Sequence, residues 1–288
     1  MFRLREGPLG NHLLSALPIE EYQQLVPKLQ PVTFSLGKVI SELSGRLDYI
    51  YFPTSCVVSL LYTMVDGSTA EMGLVGNDGL VGIAQLLGGD TTINRAIVQV
   101  AGDAFKVSAK AIQEKFVRGG GLQRLFLRYT QALITQVSQT AVCNRLHSME
   151  KRLCRWLLLC HNRVKSNELQ MTQEFISNML GTRRESVTVA AGRLQDERLI
   201  HYARGHIKIL SSHGLEARSC ECYRVVKNES DRLLGPDAEL GLAKSAGSRG
   251  RRLLEDHQTR PFTALTYVIY CWMEGLDATP GYDRFNWC

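Results

Sequence analysis

Between Thr172 and Ile200 the chain reads TQEFISNMLGTRRESVTVAAGRLQDERLI, and this stretch restricts the fold more than any other. Phe175, Ile176, Met179 and Leu180 recur at helical spacing behind Thr172, a residue type that caps helix starts, with Gln173 and Glu174 in the first turn. Gly181 can take the left-handed conformation that ends a helix. A second helix is predicted over about 183–195, capped by Thr182. Its Val187, Ala190, Ala191 and Leu194 fall on one side and pack inward, while Arg184, Glu185, Thr188 and Val189 fall on the other. Two short helices joined at a glycine, with small residues at their crossing, define a helix-turn-helix.

The chemistry of the outward face suits nucleic acid. A helix whose N-terminal residues enter the DNA major groove reads guanine with arginine and the cytosine N4 amine with a carboxylate. Arg184, Glu185, Thr188 and Val189 are therefore the predicted base readers. Thr172, Gln173, Thr182, Arg183, Ser186 and Arg193 are the predicted phosphate contacts. Thr182-x-x-Glu185 also fits a capping box, so Glu185 has a purely structural reading too. Capping alone leaves two adjacent arginines unexplained at the positive end of a helix, where a cation is disfavoured unless an anion sits opposite. LIHYARGHIKIL (199–210) then alternates Ile200/Tyr202 and Ile207/Ile209 about a turn at Ala203-Arg204-Gly205. Such a hairpin is a wing, and Arg204, His206 and Lys208 would lie against a DNA backbone.

Charge follows the same division. Residues 1–140 carry 12 Lys+Arg against 11 Asp+Glu, residues 141–234 carry 16 against 10, and residues 235–288 carry 6 against 7. The whole net excess of +6 thus sits around the helix-turn-helix, which points to a polyanionic partner.

Upstream, residues 9–35 read as short amphipathic helices. From about 38 to 107 the runs YIYF, CVVSLLYTMV, AEMGLV and RAIVQVAG alternate with glycine turns, the pattern of a small antiparallel barrel or roll. GLVGNDGLVG lacks the lysine and Ser/Thr of a phosphate loop. Beyond Gly119-Gly120-Gly121, a helix over about 122–146 repeats Leu122, Leu125, Phe126, Tyr129, Leu133 and Val137 at three- and four-residue steps. At about 40 Å it is longer than one small domain needs, so Leu122, Leu125, Tyr129, Leu133 and Val137 are assigned to a dimer interface, a long core helix being the other reading. A helix starting at Ser148 buries Leu153, Trp156, Leu157 and Cys160, and leaves Arg152, Arg155 and Arg163 to snorkel or face solvent.

In this order of elements, and in the triplet Arg184-Glu185-Ser186, the chain resembles the Crp-Fnr family of bacterial transcription regulators over roughly residues 9–234. The resemblance implies an α+β fold. It comprises an N-terminal β-roll of the cupin-like double-stranded jelly-roll kind (1–118), a dimerisation helix (119–147) and a winged helix-turn-helix (148–234). Residues 235–288 are an extension past the family's usual end and read as a linker and tail. It implies a homodimer on a pseudo-palindromic operator in double-stranded DNA, with RNA polymerase as a further partner for an activator. Val189 stands where the family often has a second arginine, which points to a different operator, a valine being suited to a thymine methyl.

The family's cyclic-nucleotide signature is absent: Ile83 replaces the glutamate for the ribose, and Asn94-Arg95-Ala96 replaces the phosphate triplet. Arg95 is then a solvated cation or the partner of an acid such as Asp90. No cysteine precedes Cys56, which disfavours an iron-sulfur cluster, and Cys56 itself reads as strand packing rather than a haem ligand. The eight cysteines form no Cys-x-x-Cys pair, and Cys220-x-Cys222 near His213 lacks a second pair, so neither metal nor cofactor is predicted. With no signal peptide and no membrane-length apolar run, a cytoplasmic location without membrane contact is expected. A ligand-dependent scaffold is the competing reading. An enzyme is disfavoured, because no nucleophile elbow, paired-carboxylate motif or metal-ligand spacing is found.

Overall fold

A computed structural model describes residues 7–235 of the chain, apart from Leu43, Asp90 and Lys165. The 235–288 extension therefore lies outside the described residues from position 236 onward. Two short helices, α1 (His12–Ser15) and α2 (Ile19–Leu25), lead into β1 (Gln30–Phe34), β2 (Val39–Ser41), β3 (Tyr49–Pro53), β4 (Val57–Thr63), β5 (Thr69–Val75), β6 (Arg95–Val100) and β7 (Gly102–Ser108). The strands form two antiparallel sheets, β1-β7-β3 and β2-β6-β4-β5, which is the predicted roll. β1 falls in the stretch read as helical. Its burial alternates weakly around Pro31, at an edge of its sheet where a residue without an amide hydrogen is tolerated.

Asn11 pins the N-terminal arm to the roll. Its buried side-chain oxygen accepts from the amides of Leu13 and Leu14, and its amide nitrogen donates to the carbonyls of Pro53 and Gly79. After α3 (Ala109–Val117) comes α4 (Gly121–Leu146), of 26 residues and about 39 Å. Its N-terminus is capped from a distance, by the Glu21 carboxylate accepting from the amides of Gly121 and Leu122 at 2.8 and 2.7 Å. Gly121 has to be glycine, because a Cβ there would lie 2.4 Å from Cγ of Pro18.

The apolar repeat of α4 faces its own chain, which corrects the dimer assignment. Leu122, Leu125 and Tyr129 are buried against Ile50, Phe52, Leu80 and Ile112 of the roll and α3. The Tyr129 hydroxyl donates to the Leu80 carbonyl at 2.9 Å. Leu133 packs half-buried against the same core, Val137 is also half-buried, and the buried Gln136 side chain exchanges two hydrogen bonds with the backbone of Leu74 on β5. The strongest apolar stripe is core because the roll and α3 cover it. The face that stays exposed carries Leu127, Gln131, Ile134, Ser138 and Ala141, in steps of three and four.

The second half contains α5 (Met149–His161), β8 (Glu168–Gln170), α6 (Gln173–Met179), α7 (Arg184–Asp196), β9 (Ile200–Ala203), β10 (His206–Ile209), α8 (Ser212–Arg218) and α9 (Glu221–Leu234). β8, β10 and β9 form an antiparallel three-stranded sheet, so the wing has one more strand than the hairpin pattern reveals. One core joins Trp156, Leu157, Ile176, Val187, Leu194 and Ile207 to Val57, Leu61 and Leu74 of the roll. Helix α9 runs antiparallel along α4, since Cys143 meets Cys220 and Gln131 meets Glu229.

The arginines of α5 and of the turn after it do not behave as surface residues. Arg155 and Arg163 are buried, Arg155 donating to Thr140 Oγ1 and Arg163 bound to Asp78 at 2.7 Å. Arg152 is part-buried and donates to the Leu180 carbonyl. Each has an acceptor within the fold, so snorkelling is unnecessary.

Candidate nucleic-acid interface

Helix α6 begins where predicted: Thr172 is its N-cap, and the hydroxyl accepts from the Phe175 amide at 3.1 Å. Gly181 has φ +55° in the turn, and the Thr182 amide donates to the Ser177 carbonyl at 3.0 Å. Helix α7 then starts one residue later than expected. Its N-cap is Arg183 in extended conformation, with no side-chain cap bond. Thr182 therefore does not cap α7, and the capping box is not formed, because the Thr182 amide is already committed to Ser177. That removes the capping-box reading of Glu185, which still sits as an acid in the first turn of α7.

The two faces of α7 separate as its period requires. Val187, Ala190, Ala191 and Leu194 are buried; Arg183, Arg184, Glu185, Thr188, Val189 and Arg193 are exposed, Val189 to 56%. An exposed valine on an otherwise polar ridge is what a contact to an apolar methyl would use. Arg184 lines a groove of about 490 Å³ with Thr172, Gln173, Tyr202, Arg204 and Gly205. Thr188 Oγ1 lies 2.8 Å from Gln173 Oε1 and 3.0 Å from the Arg184 carbonyl oxygen, which sets Gln173 along this groove. Glu185, Ser186, Val189 and Arg193 line a second hollow of about 380 Å³ against Met149 and Glu150 of α5. The predicted residues thus form one ridge with a flank on either side.

The wing turn is tight. Arg204 and Gly205 have φ of +49° and +78°, the two positive values of a two-residue hairpin turn. This turn presents Arg204 and His206, both exposed, beside the N-terminus of α6, and the Gly205 carbonyl accepts from the Met171 amide at 2.7 Å. Electrostatics distinguishes these cations from their neighbours. Lys208 pairs with Glu168, Arg193 with Glu150, and Arg218 with Glu150 and Glu197. Among the described residues, Arg183, Arg184 and Arg204 have no ion pair. Tyr202 and Glu150 belong to the surface without having been predicted. Tyr202 reads as strand core, yet its hydroxyl donates to the Met171 carbonyl at 3.0 Å. Burial raises its pKa while Arg184 opposes the rise.

In the roll, a cavity of about 90 Å³ is lined by Leu60, Leu80, Val81, Ile83, Ala96 and Leu133 among others. Arg95 is paired with Glu42 at 3.0 Å; Asp90, the acid named for it as an example, lies outside the described residues. The cysteine pair is the larger departure. Cys220 and Cys222 meet Cys143 and His147 of the α4 terminus, with all four ligand atoms within 4.8 Å of one another, and His213 is not in this group. The spacing that could have revealed it is Cys143-x-x-x-His147, two ligand types one helical turn apart.

The described residues thus combine a β-roll, a long connecting helix and a winged helix-turn-helix with an exposed second helix. Residues 151–218 match the Crp-like helix-turn-helix domain. The chain is similar in structure to FixK2 from Bradyrhizobium japonicum, with a TM-score of 0.58, 14% identity and coverage of 67% of this chain and 98% of that one. A transcriptional regulator of the Crp/Fnr family from Eubacterium rectale gives a TM-score of 0.55 and 18% identity over 74% and 97% of the two chains. A CRP-family regulator from Thermus thermophilus gives 0.55 and 18% over 65% and 96%. No curated protein matches by sequence. The chain therefore has the Crp-Fnr fold and carries a Crp-like helix-turn-helix domain. No helix among the described residues is long and apolar enough to cross a membrane.

Proposed function

We propose that the protein is a sequence-specific, DNA-binding transcription regulator that acts as a homodimer under control of its N-terminal roll. The observation that carries this reading is the exposed start of α7, where Arg184, Glu185, Thr188 and Val189 form a ridge beside a wing whose Arg204 has no acid partner. Arg184 donates to guanine, Glu185 accepts from cytosine, Thr188 reads either purine or pyrimidine edges, and Val189 meets a thymine methyl. Thr172, Gln173, Thr182, Arg183, Ser186, Arg193, Arg204 and His206 hold the flanking phosphates and set the register. The dimer forms through the exposed stripe of α4, with Leu127 and Ile134 as its apolar anchors, 48% and 60% exposed in the single chain. A two-fold axis along α4 places the two α7 helices on half-sites about one helical turn apart. Where the bound protein activates, RNA polymerase is the further partner.

The test is selection of bound fragments from a genomic pool by wild-type protein and by Arg184→Ala, at several salt concentrations. A preferred pseudo-palindrome that loses discrimination at one position of each half-site in the variant supports the assignment. Equal affinity for all fragments, or an unchanged preference in the variant, overturns it.

A further inference from the structure

The three thiols at the junction of α4 and α9 are an anomaly in the packing. Cys143, Cys220 and Cys222 are 0%, 3% and 1% exposed, and they form a buried cluster of their own, apart from the aliphatic and aromatic cores. His147, with its side chain 13% exposed, completes the group. We propose that Cys143, His147, Cys220 and Cys222 form a tetrahedral Cys₃His site for a Zn²⁺-class divalent cation, clamping the C-terminal end of α4 to the N-terminus of α9.

The geometry is that of a mononuclear site. Sγ of Cys143 lies 3.5 Å from Sγ of Cys220, and Sγ of Cys222 lies 3.6 Å from Nδ1 of His147. Zinc–thiolate bonds of about 2.3 Å at tetrahedral angles give ligand–ligand edges of about 3.8 Å, close to both separations. The ligands arrive in two local pairs. Cys143 and His147 stand four residues apart on the last turn of α4, His147 being its C-cap. Cys220 is the N-cap of α9 and Cys222 lies in its first turn. Each pair is preset by its own helix end, and the fold brings the two together across the whole of the winged helix-turn-helix.

The surroundings favour a metal over a disulfide. Glu221 Oε1 lies 3.4 Å from His147 Nε2, placed to accept from a protonated Nε2 and so to leave Nδ1, the nitrogen facing Cys222, with its lone pair free. Three thiolates and a divalent ion leave a net negative charge, and the buried Arg155 guanidinium, which acts on both Cys143 and Cys222, is the countercharge. A Cys143–Cys220 disulfide would leave a third buried thiol and a carboxylate-oriented histidine without a role. The consequence is mechanical. Ser148 alone separates His147 from α5, and Ser219 alone separates α8 from Cys220, so one ion closes the winged helix-turn-helix into a loop anchored at the end of α4.

Full-length protein purified without chelators or a histidine tag is the material for the test. Inductively coupled plasma mass spectrometry should find zinc at about one per chain. Replacement with Co²⁺ should give intense visible d–d bands and a near-ultraviolet thiolate-to-cobalt charge-transfer band. Cys222→Ser should lose stoichiometric metal after gel filtration, Glu221→Gln should weaken affinity about tenfold, and Cys154→Ser should keep it. His147→Cys, which restores four ligands, should retain zinc with a shifted cobalt spectrum and so guards against a variant that merely misfolds. Weak octahedral cobalt bands, zinc retained by Cys222→Ser, or alkylation mass spectrometry showing Cys143 and Cys220 already bonded to each other would each overturn the site. These measurements need no DNA, so they stand or fall separately from the operator assay.

Discussion

Glu71 on β5 offers the sharpest test of how the roll and the helix-turn-helix domain are joined. Its carboxylate is buried; Oε1 accepts from Trp156 Nε1 of α5 at 2.9 Å, and Oε2 lies 2.7 Å from Ser59 Oγ. Ser59 Oγ also lies against Gln99 Oε1, and Gln99 Nε2 donates to Cys160 Sγ at 3.0 Å. One hydroxyl hydrogen cannot serve two acceptor oxygens. Protonated Glu71 resolves this by donating to Ser59, which then donates to Gln99. Burial accordingly raises the Glu71 pKa to about 7, against the hydrogen bonds from Ser59 and Trp156 and the fields of Arg155 and Arg163, the latter itself paired with Asp78. A carboxyl raised in the folded state from 4.5 to about 7 binds its proton more tightly when folded. Its contribution to stability is thus complete below about pH 4.5 and is lost as pH rises through 7. At about 1.4 kcal/mol per pH unit the loss comes to about 3 kcal/mol. Glu71→Gln copies the protonated form, its amide donating to Ser59 and its carbonyl accepting from Trp156. Urea unfolding of both proteins between pH 5 and 8 should therefore show the variant gaining on wild type by about 2.5 kcal/mol across the range, and exceeding it at pH 8. Parallel pH profiles, or a variant less stable than wild type at pH 8, would refute the reasoning.

Four further outcomes follow from the same contacts. Arg184→Ala should cost about 1–3 kcal/mol of discrimination at one base pair in a competition assay, whereas Arg204→Ala should weaken all sequences alike and lower the salt slope by about one. Ile134→Glu should give a folded monomer by light scattering, while Leu125→Glu should unfold the roll, because Leu125 is core and Ile134 is exposed. Gly121→Ala should lower stability by about 1–3 kcal/mol in thermal melts, its Cβ colliding with Pro18. Thr172→Ala should cost about 1 kcal/mol by removing the cap on α6.

The parts of the fold visible in the residues are those whose causes are local. Helices α6 and α7 are legible to within a residue, because Thr172, Gly181 and the Val187/Ala190/Ala191/Leu194 stripe act within a few turns of one another. Four roll strands are legible from runs bounded by glycine turns. β1 and β8 are not, since QPVTF has a proline and half-exposed residues and ELQ is only three residues long. Arg155 and Arg163 mislead for a different reason. Long cations ordinarily reach solvent, and only the tertiary fold supplies the acceptors, Thr140 and Asp78, that allow them to be buried. The exposed ridge of α7 is visible as a set of residue types, but the failure of the capping box is not, since it depends on Ser177 claiming the Thr182 amide.

Helix α4 shows why the same apolar signal misassigned an interface. A helix of 26 residues has room for more than one buried face, and periodicity reports the most hydrophobic without saying what covers it. Here that face belongs to the roll, through Leu122, Leu125, Phe126 and Tyr129. The stripe from Leu127 through Ile134 to Ala141 recurs every seven residues but is interrupted by Gln131 and Ser138, so in sequence it resembles solvated surface. A stripe of this mixed kind is too polar to drive assembly by burial alone, so the dimer proposed for it has to match in register. The roll side, locked by Tyr129 on Leu80 and Gln136 on Leu74, supplies the rigid backing that register demands. The Cys143–His147 turn closes the far end of the same helix. Gln136 thus ties the middle of α4 to β5, and the same helix ends at the junction with α5.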